Sequence, residues 1–160
     1  MKSPPEFKID AVASWFDDQD WIELGLDGSR VLFNLKQLLP VDKVLDARFF
    51  PQFDGETLDR VHLLFVTEHI LYHAFLGHRK FVYSEYPIIN VSVRIEFTYT
   101  SSKKLQSLLL FFDVGEQKED GKPWIHYLEA PAKARAHAMS LVSLLNKLKT
   151  RSGWYGDSED

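Results

Sequence analysis

The chain has 160 residues, a formal net charge of −4, 45% hydrophobic residues and no cysteine. That length and apolar content suffice for one domain with its own core, without a disulfide or metal staple. The missing cysteines remove disulfides, thiolate zinc sites and cysteine nucleophiles together, and a weakly acidic chain lacks the concentrated Lys and Arg that general nucleic-acid binding needs, so no nucleic-acid partner is expected.

The first residues, "MKSPPEFKID", have neither a long apolar stretch nor a small-residue cleavage pattern, and do not read as a secretory leader. The longest apolar run, Leu108–Phe112, is strand-sized and far short of the roughly 20 residues a membrane helix needs. The expectation is a soluble, cytoplasmic protein whose membrane contact, if any, is peripheral. Residues 1–9 read as a loose tail. Asp10–Asp17 starts a short helix capped by Asp10, with Val12, Trp15 and Phe16 on one face. The "DDQD" that follows crowds Asp17, Asp18 and Asp20 without the spacing of a calcium loop, and reads as a solvated acidic loop. In "WIELGLDGSRVLFNL" two apolar stretches flank Asp27-Gly28, a hairpin signal; alternatively Asn34 caps a short helix "LKQLL" that Pro40 stops.

From residue 42 the rhythm is that of short strands. Lys43–Phe50 reads as a strand and "PQFDGETLD" as a polar loop. Arg60–Val66 and His69–Leu76 read as strands joined tightly through Thr67-Glu68. "GHR" is a turn into Lys80–Tyr86, which Pro87 breaks. In Val91–Tyr99 the residues Val91, Val93, Ile95, Phe97 and Tyr99 alternate with polar ones, predicting one buried and one wet face. After the "SSKK" turn, Leu105–Val114 is mostly apolar and is expected to be covered on both sides. "GEQKEDGK" is a charged hairpin loop leading to a last strand, Pro123–Glu129. The period then changes: Ala134, Ala138, Leu141, Leu145 and Leu148 make the stripe of an amphipathic helix, with a stop expected at Gly153 and an acidic tail over 151–160. About seven antiparallel strands before one terminal helix predict an α+β, mostly β fold, a curled antiparallel sheet or small barrel closed by the C-terminal helix.

Four stretches carry a family likeness: "DKVLDARFF" as an opening strand, "HLLFVTEHILYHAF" as a second hairpin, "FVYSEYPIINVSV" as an aromatic strand giving way to I-x-x-V, and "KARAHAMSLVSLLNKL" as a closing helix. Over residues 42–149 the chain resembles pleckstrin-homology-like (PH-like) domains, closest to the GRAM and bacterial PH-like branch. The resemblance implies a PH/GRAM-like domain over 42–150, with residues 1–41 as an extension packed on it. It also implies a non-enzymatic adaptor or scaffold that binds a protein partner or self-associates, with no cofactor. Classical lipid binders of this kind are rich in Lys and Arg around the first two strands. Here the matching segment carries Asp54, Glu56 and Asp59, which repel a polyphosphorylated headgroup.

No catalytic or metal residue is assigned. His69 and His73 are spaced H-x-x-x-H, but on a strand that spacing separates their Cα atoms by about 13 Å, too far for one ion, and His62 approaches only if the register allows. No nucleophile elbow, P-loop or dinucleotide motif is present. The candidate contacts are therefore surfaces. His78, Arg79, Lys80, Lys103 and Lys104 are expected at turns, for weak contact with an anionic membrane or acidic partner. Trp15, Phe16, Trp21 and Trp154 are candidates for a protein partner. A last alternative, a ligand or enzyme site inside the barrel, would use His62, His69, His73 and His126.

Overall fold

The computed structural model describes residues 7–158, and side chains through residue 151. The fold is α+β and mostly β: two antiparallel sheets, three short N-terminal helices and one long C-terminal helix. The described chain divides into two compact units, with the boundary between Glu85 and Tyr86. The strands are hydrogen-bonded as a sheet of four and a sheet of three, and no ladder among the described residues runs on into a closed seven-stranded barrel. No helix among them is long and apolar enough to cross a membrane.

The first unit opens with α1 (Asp10–Ala13), α2 (Asp18–Leu24) and α3 (Gly28–Leu38). Here the sequence expectations need correction. Asp10 is the first helical residue of α1 and Ile9 is its cap. The "DDQD" stretch is a capping box: Asp17 Oδ1 accepts from Asp20 N at 2.8 Å and Asp20 Oδ2 accepts from Asp17 N at 2.9 Å, satisfying two donors that a helix start leaves open. Asp27-Gly28 is a corner between helices, with Asp27 accepting from Ser29 N to cap α3. Asn34 lies inside α3, whose buried residues Val31 and Leu35 are one helical step of four apart. The tryptophan ring of Trp21 lies where a Cβ on Gly28 would stand, at 2.6 Å, so the corner needs a glycine. Pro40 does end the helix, since the residue before it, Leu39, is held extended.

The four-stranded sheet consists of β1 (Asp46–Asp54), β2 (Thr57–Val66), β3 (Ile70–Gly77) and β4 (Lys80–Pro87), in that order. The expected loop over 51–59 shrinks to Gly55-Glu56. Pro51 sits within β1 opposite Val61, tolerated because β1 is an edge strand of this sheet and can spare an N–H. Every residue of β2 from Val61 to Val66 is buried. Val61, Leu63 and Phe65 join Tyr72, Ala74 and Leu76 of β3 on one face, in a single core with Val12, Phe16, Leu24, Val31 and Leu35 of the helical segment. Each fully buried Val, Leu or Phe among them contributes roughly 1.5–3 kcal/mol. The helices are also hydrogen-bonded to the sheet. Where β1 and β2 slip register at Gln52/Phe53, the Leu58 N–H donates to Glu23 Oε2 of α2 at 2.9 Å. At the other end, the Arg79 N–H of the β3–β4 turn donates to Leu24 O at 2.7 Å, filling an open carbonyl at the C-terminus of α2.

The second unit holds β5 (Ser92–Tyr99), β6 (Leu105–Gln117), β7 (Pro123–Pro131) and α4 (Arg135–Ser158). The predicted stripe of α4 is buried at Ala138, Leu141, Leu145 and Leu148, while Ala134 belongs to a preceding 3-10 turn. Lys149 Nζ reaches Val91 O at 3.0 Å. The helix continues past Gly153, since a glycine inside a helix costs only about 1 kcal/mol and does not by itself end one. β6 is covered on one side only: Leu108, Leu110, Phe112 and Val114 are buried, but Leu109 and Phe111 are half-exposed. The buried face expected of β5 is also partial, with Phe97 and Tyr99 exposed.

The Glu23–Leu58 bond gives a direct test of how the helices are held. Glu23→Ala leaves Leu58 N–H without its acceptor and is expected to destabilise the protein by about 1–3 kcal/mol. Glu23→Gln, which keeps an oxygen there, is expected to lose less than half as much; urea denaturation followed by tryptophan fluorescence measures both.

Candidate functional site

His62 of β2 and His73 of β3 are diagonal neighbours, His73 standing opposite Leu64 and His62 opposite Phe75. Both are buried, and His62 Nδ1 lies 2.8 Å from His73 Nε2. The rings are 8° from parallel with centroids 5.1 Å apart, a geometry that accommodates an in-plane N–H···N hydrogen bond. Two imidazole nitrogens on one zinc, each about 2.0 Å from it at a tetrahedral angle, stand about 3.3 Å apart with both lone pairs turned toward the metal. At 2.8 Å the nitrogens share a proton instead. His69 takes no part: it is exposed in the β2–β3 turn, 4.0 Å from Glu68. No cluster of three or more metal-ligating side chains occurs among the described residues.

His126 of β7 is a separate case. Its Nε2 lies at hydrogen-bonding distance, 3.1 Å, from the Tyr86 hydroxyl. Burial lowers its pKa from the ordinary 6.5, against an opposing pull from Glu116. It is a part-buried polar group of the second unit.

The basic residues lie on two hairpin tips. His78, Arg79 and Lys80 are exposed at the β3–β4 turn, and Lys103 and Lys104 at the β5–β6 turn. Arg79 and Lys103 adopt left-handed backbone, φ 56° and 66°, where glycine or asparagine is more usual. Arg79 has a structural use for that conformation, since its N–H caps α2. The β1–β2 tip is acidic: Asp54, Glu56 and Asp59 are all exposed, and Asp59 is paired with Arg60 at 2.7 Å.

The N-terminal aromatics are brought together as packing. Phe16 is buried, stacks on Trp21 at 4.2 Å and meets Phe49 of β1 edge-on at 5.2 Å; Trp15 lies 5.8 Å from Phe49. Trp15 and Trp21 keep a half-exposed edge. The side chain of Trp154 lies outside the described residues.

A surface that the sequence reading missed is the open face of the β5–β6–β7 sheet. Arg94, Phe111 and Tyr127 stand in one row across the three strands, Arg94 opposite Phe111 and Phe111 opposite Tyr127. The Arg94 guanidinium sits 4.2 Å from the Phe111 ring centroid, and the Tyr127 ring meets Phe111 edge-on at 5.1 Å. Beside this row a groove of about 260 Å³ is bounded by Ser92, Asp113 and Ile125. Tyr127 is 52% exposed. The signal was present in parity: with Leu108, Leu110 and Phe112 facing inward, Leu109 and Phe111 must face out.

No protein-family model matches the chain, and no curated protein matches it significantly.

The lowered pKa of His126 fixes a pH dependence. A histidine that resists protonation when folded contributes its full stability above the ordinary pKa of 6.5, and that contribution is lost as the pH falls below 6.5 toward the folded value. Urea midpoints measured from pH 7 down to 5 are expected to fall less steeply in His126→Gln than in the parent; equal slopes would contradict this assignment.

Proposed function

We propose that the protein is a non-enzymatic interaction module of the PH-like type, closest to the GRAM and bacterial PH-like branch. It acts in the cytoplasm as an adaptor or scaffold and docks a protein partner on the open face of the β5–β6–β7 sheet. The observation that carries this reading is the exposed Arg94–Phe111–Tyr127 row. Arg and aromatic side chains are the residue types that most often anchor interfaces, and the aromatic rings bring large area with few rotamers to freeze. Arg94 is already aligned by Phe111 and offers its remaining N–H groups to a partner, while Glu96, 3.6 Å away, shares its charge. The two known polar clusters of the molecule, the paired histidines and Tyr86–His126, are buried or part-buried and serve packing in this reading.

A photo-crosslinking residue at Tyr127, compared with one at the exposed Glu119 of the β6–β7 loop, tests the face in native extract. A single adduct of defined mass at 127, absent at 119 and lost on Arg94→Glu, is the expected result. An identical pattern at both positions overturns the docking face, and an adduct of twice the chain mass assigns it to self-association.

Membrane contact through the basic tips is tested separately by flotation with vesicles containing anionic phospholipid at low salt. The expected result is no cofloating protein. Flotation that disappears in a Lys103→Ala/Lys104→Ala variant would move the function to the membrane surface.

A further inference from the structure

The first unit carries a concave site that the partner-docking reading does not use. It arises from the mismatch between α3 and the sheet beneath it. Pro40 stops the helix, and the chain crosses in a 3-10 turn, Val41–Lys43, before Leu45 N–H meets Val66 O at 2.7 Å and β1 begins. The sheet runs on beyond the last helical turn, so its apolar face is left incompletely covered there. Leu45 is 41% exposed and Ile70 half-buried, although both carry the parity of the helix-packed face. Between this connection and the β2–β3 turn lies a cleft of about 540 Å³. That volume is within the range of roughly 300–1,000 Å³ that small-molecule sites occupy.

Its walls combine apolar surface with a few donors. Pro40, Leu45 and Ile70 supply the apolar part, and Lys43, His69 and Tyr72 the polar part. Lys43 makes no ion pair among the described residues, whereas Glu68, the carboxylate of the lining, has His69 at 4.0 Å. The Tyr72 hydroxyl makes no hydrogen bond among the described residues. Its phenol stays protonated, because burial and the neighbouring charge of Glu85 raise its pKa, so it remains a donor. An uncommitted ammonium and an uncommitted phenol beside an exposed leucine and isoleucine complement one kind of molecule. We infer that this cleft binds a small amphipathic anion: an aromatic or short aliphatic body with a single carboxylate or sulfonate group. The body lies on Leu45 and Ile70, and the anionic oxygens take hydrogen bonds from Lys43 and Tyr72.

Anilinonaphthalene sulfonate is a suitable probe, and phenylnaphthylamine has the same rings without the anion. Fluorescence titration of the folded chain is expected to give one saturable sulfonate site, displaced by octanoate, with the uncharged probe held about tenfold more weakly. Lys43→Ala is expected to weaken the sulfonate by about tenfold, the loss of one charge-assisted hydrogen bond, and to leave the uncharged probe unchanged. Leu45→Asp is expected to remove both, and Lys104→Ala neither. Lys43 and Leu45 are exposed, so thermal melts of these variants should overlay the parent and keep the comparison interpretable. Absence of saturable binding, equal affinity for the two probes, or sulfonate binding indifferent to Lys43→Ala and Leu45→Asp would each overturn the site.

Discussion

The constraint on which the first unit depends is the double burial of the β2–β3 pair. Val61 to Val66 are all buried, so the pair needs cover on both faces. One face is covered by α1–α3, which share its core. The N-terminal helical segment therefore belongs to the same cooperative unit as the sheet. The other face must accommodate His62 and His73, and it does so by bonding them to each other at 2.8 Å. The arrangement fixes the strand register. A one-residue slip of β2 against β3 would carry His62 into the helix-packed face, part it from His73 and turn Leu63 and Phe65 away from that face. Two buried polar rings thus specify a pairing that a purely apolar hairpin would leave less sharply defined.

The second unit solves its burial problem differently. Its sheet alternates, with Leu108, Leu110 and Phe112 inside and Leu109 and Phe111 half-exposed on the opposite side. A face of this kind must be kept soluble by its own side chains. Arg94 covers Phe111 with a guanidinium, Tyr127 presents a hydroxylated ring, and Glu96 and Glu129 flank them. The same side chains that keep the face soluble are those best suited to an interface, since they present aromatic area without a bare apolar patch.

The strands and the terminal helix were legible because their signals are periodic over many residues. The N-terminal helices were misread because Asp-Gly has two meanings. It opens a hairpin turn, and it equally caps a helix when apolar residues follow at steps of four, as Val31 and Leu35 do. Pro51 suggested a loop because an edge position cannot be recognised before the strand order is known. The apolar run of β6 hid its own parity, since "LLLFF" fits burial on both faces as well as on one. The cleft and the histidine pair depend on which residues end up opposite one another across turns. His62–His73 follows from the β2–β3 register, and Tyr86–His126 joins positions 40 apart in the chain. Local patterns do not reach that far.

The balance between a membrane and a protein partner can be argued from magnitudes. A Lys or Arg near an anionic bilayer contributes about 1 kcal/mol, so useful affinity needs several acting together. Each basic tip offers only two Lys or Arg charges, Arg79 and Lys80 on one and Lys103 and Lys104 on the other. The β1–β2 tip presents three exposed carboxylates that act in the opposite sense. An aromatic anchor of the Tyr127 kind buries area worth about 25 cal/mol per Å², and that contribution does not fade with salt as charge contacts do. The aromatic row therefore outweighs the basic tips at physiological ionic strength. An amphipathic anion at Lys43 draws on both terms at once, apolar area and a single charge, and that combination lets a small cleft retain a ligand that neither term would hold alone.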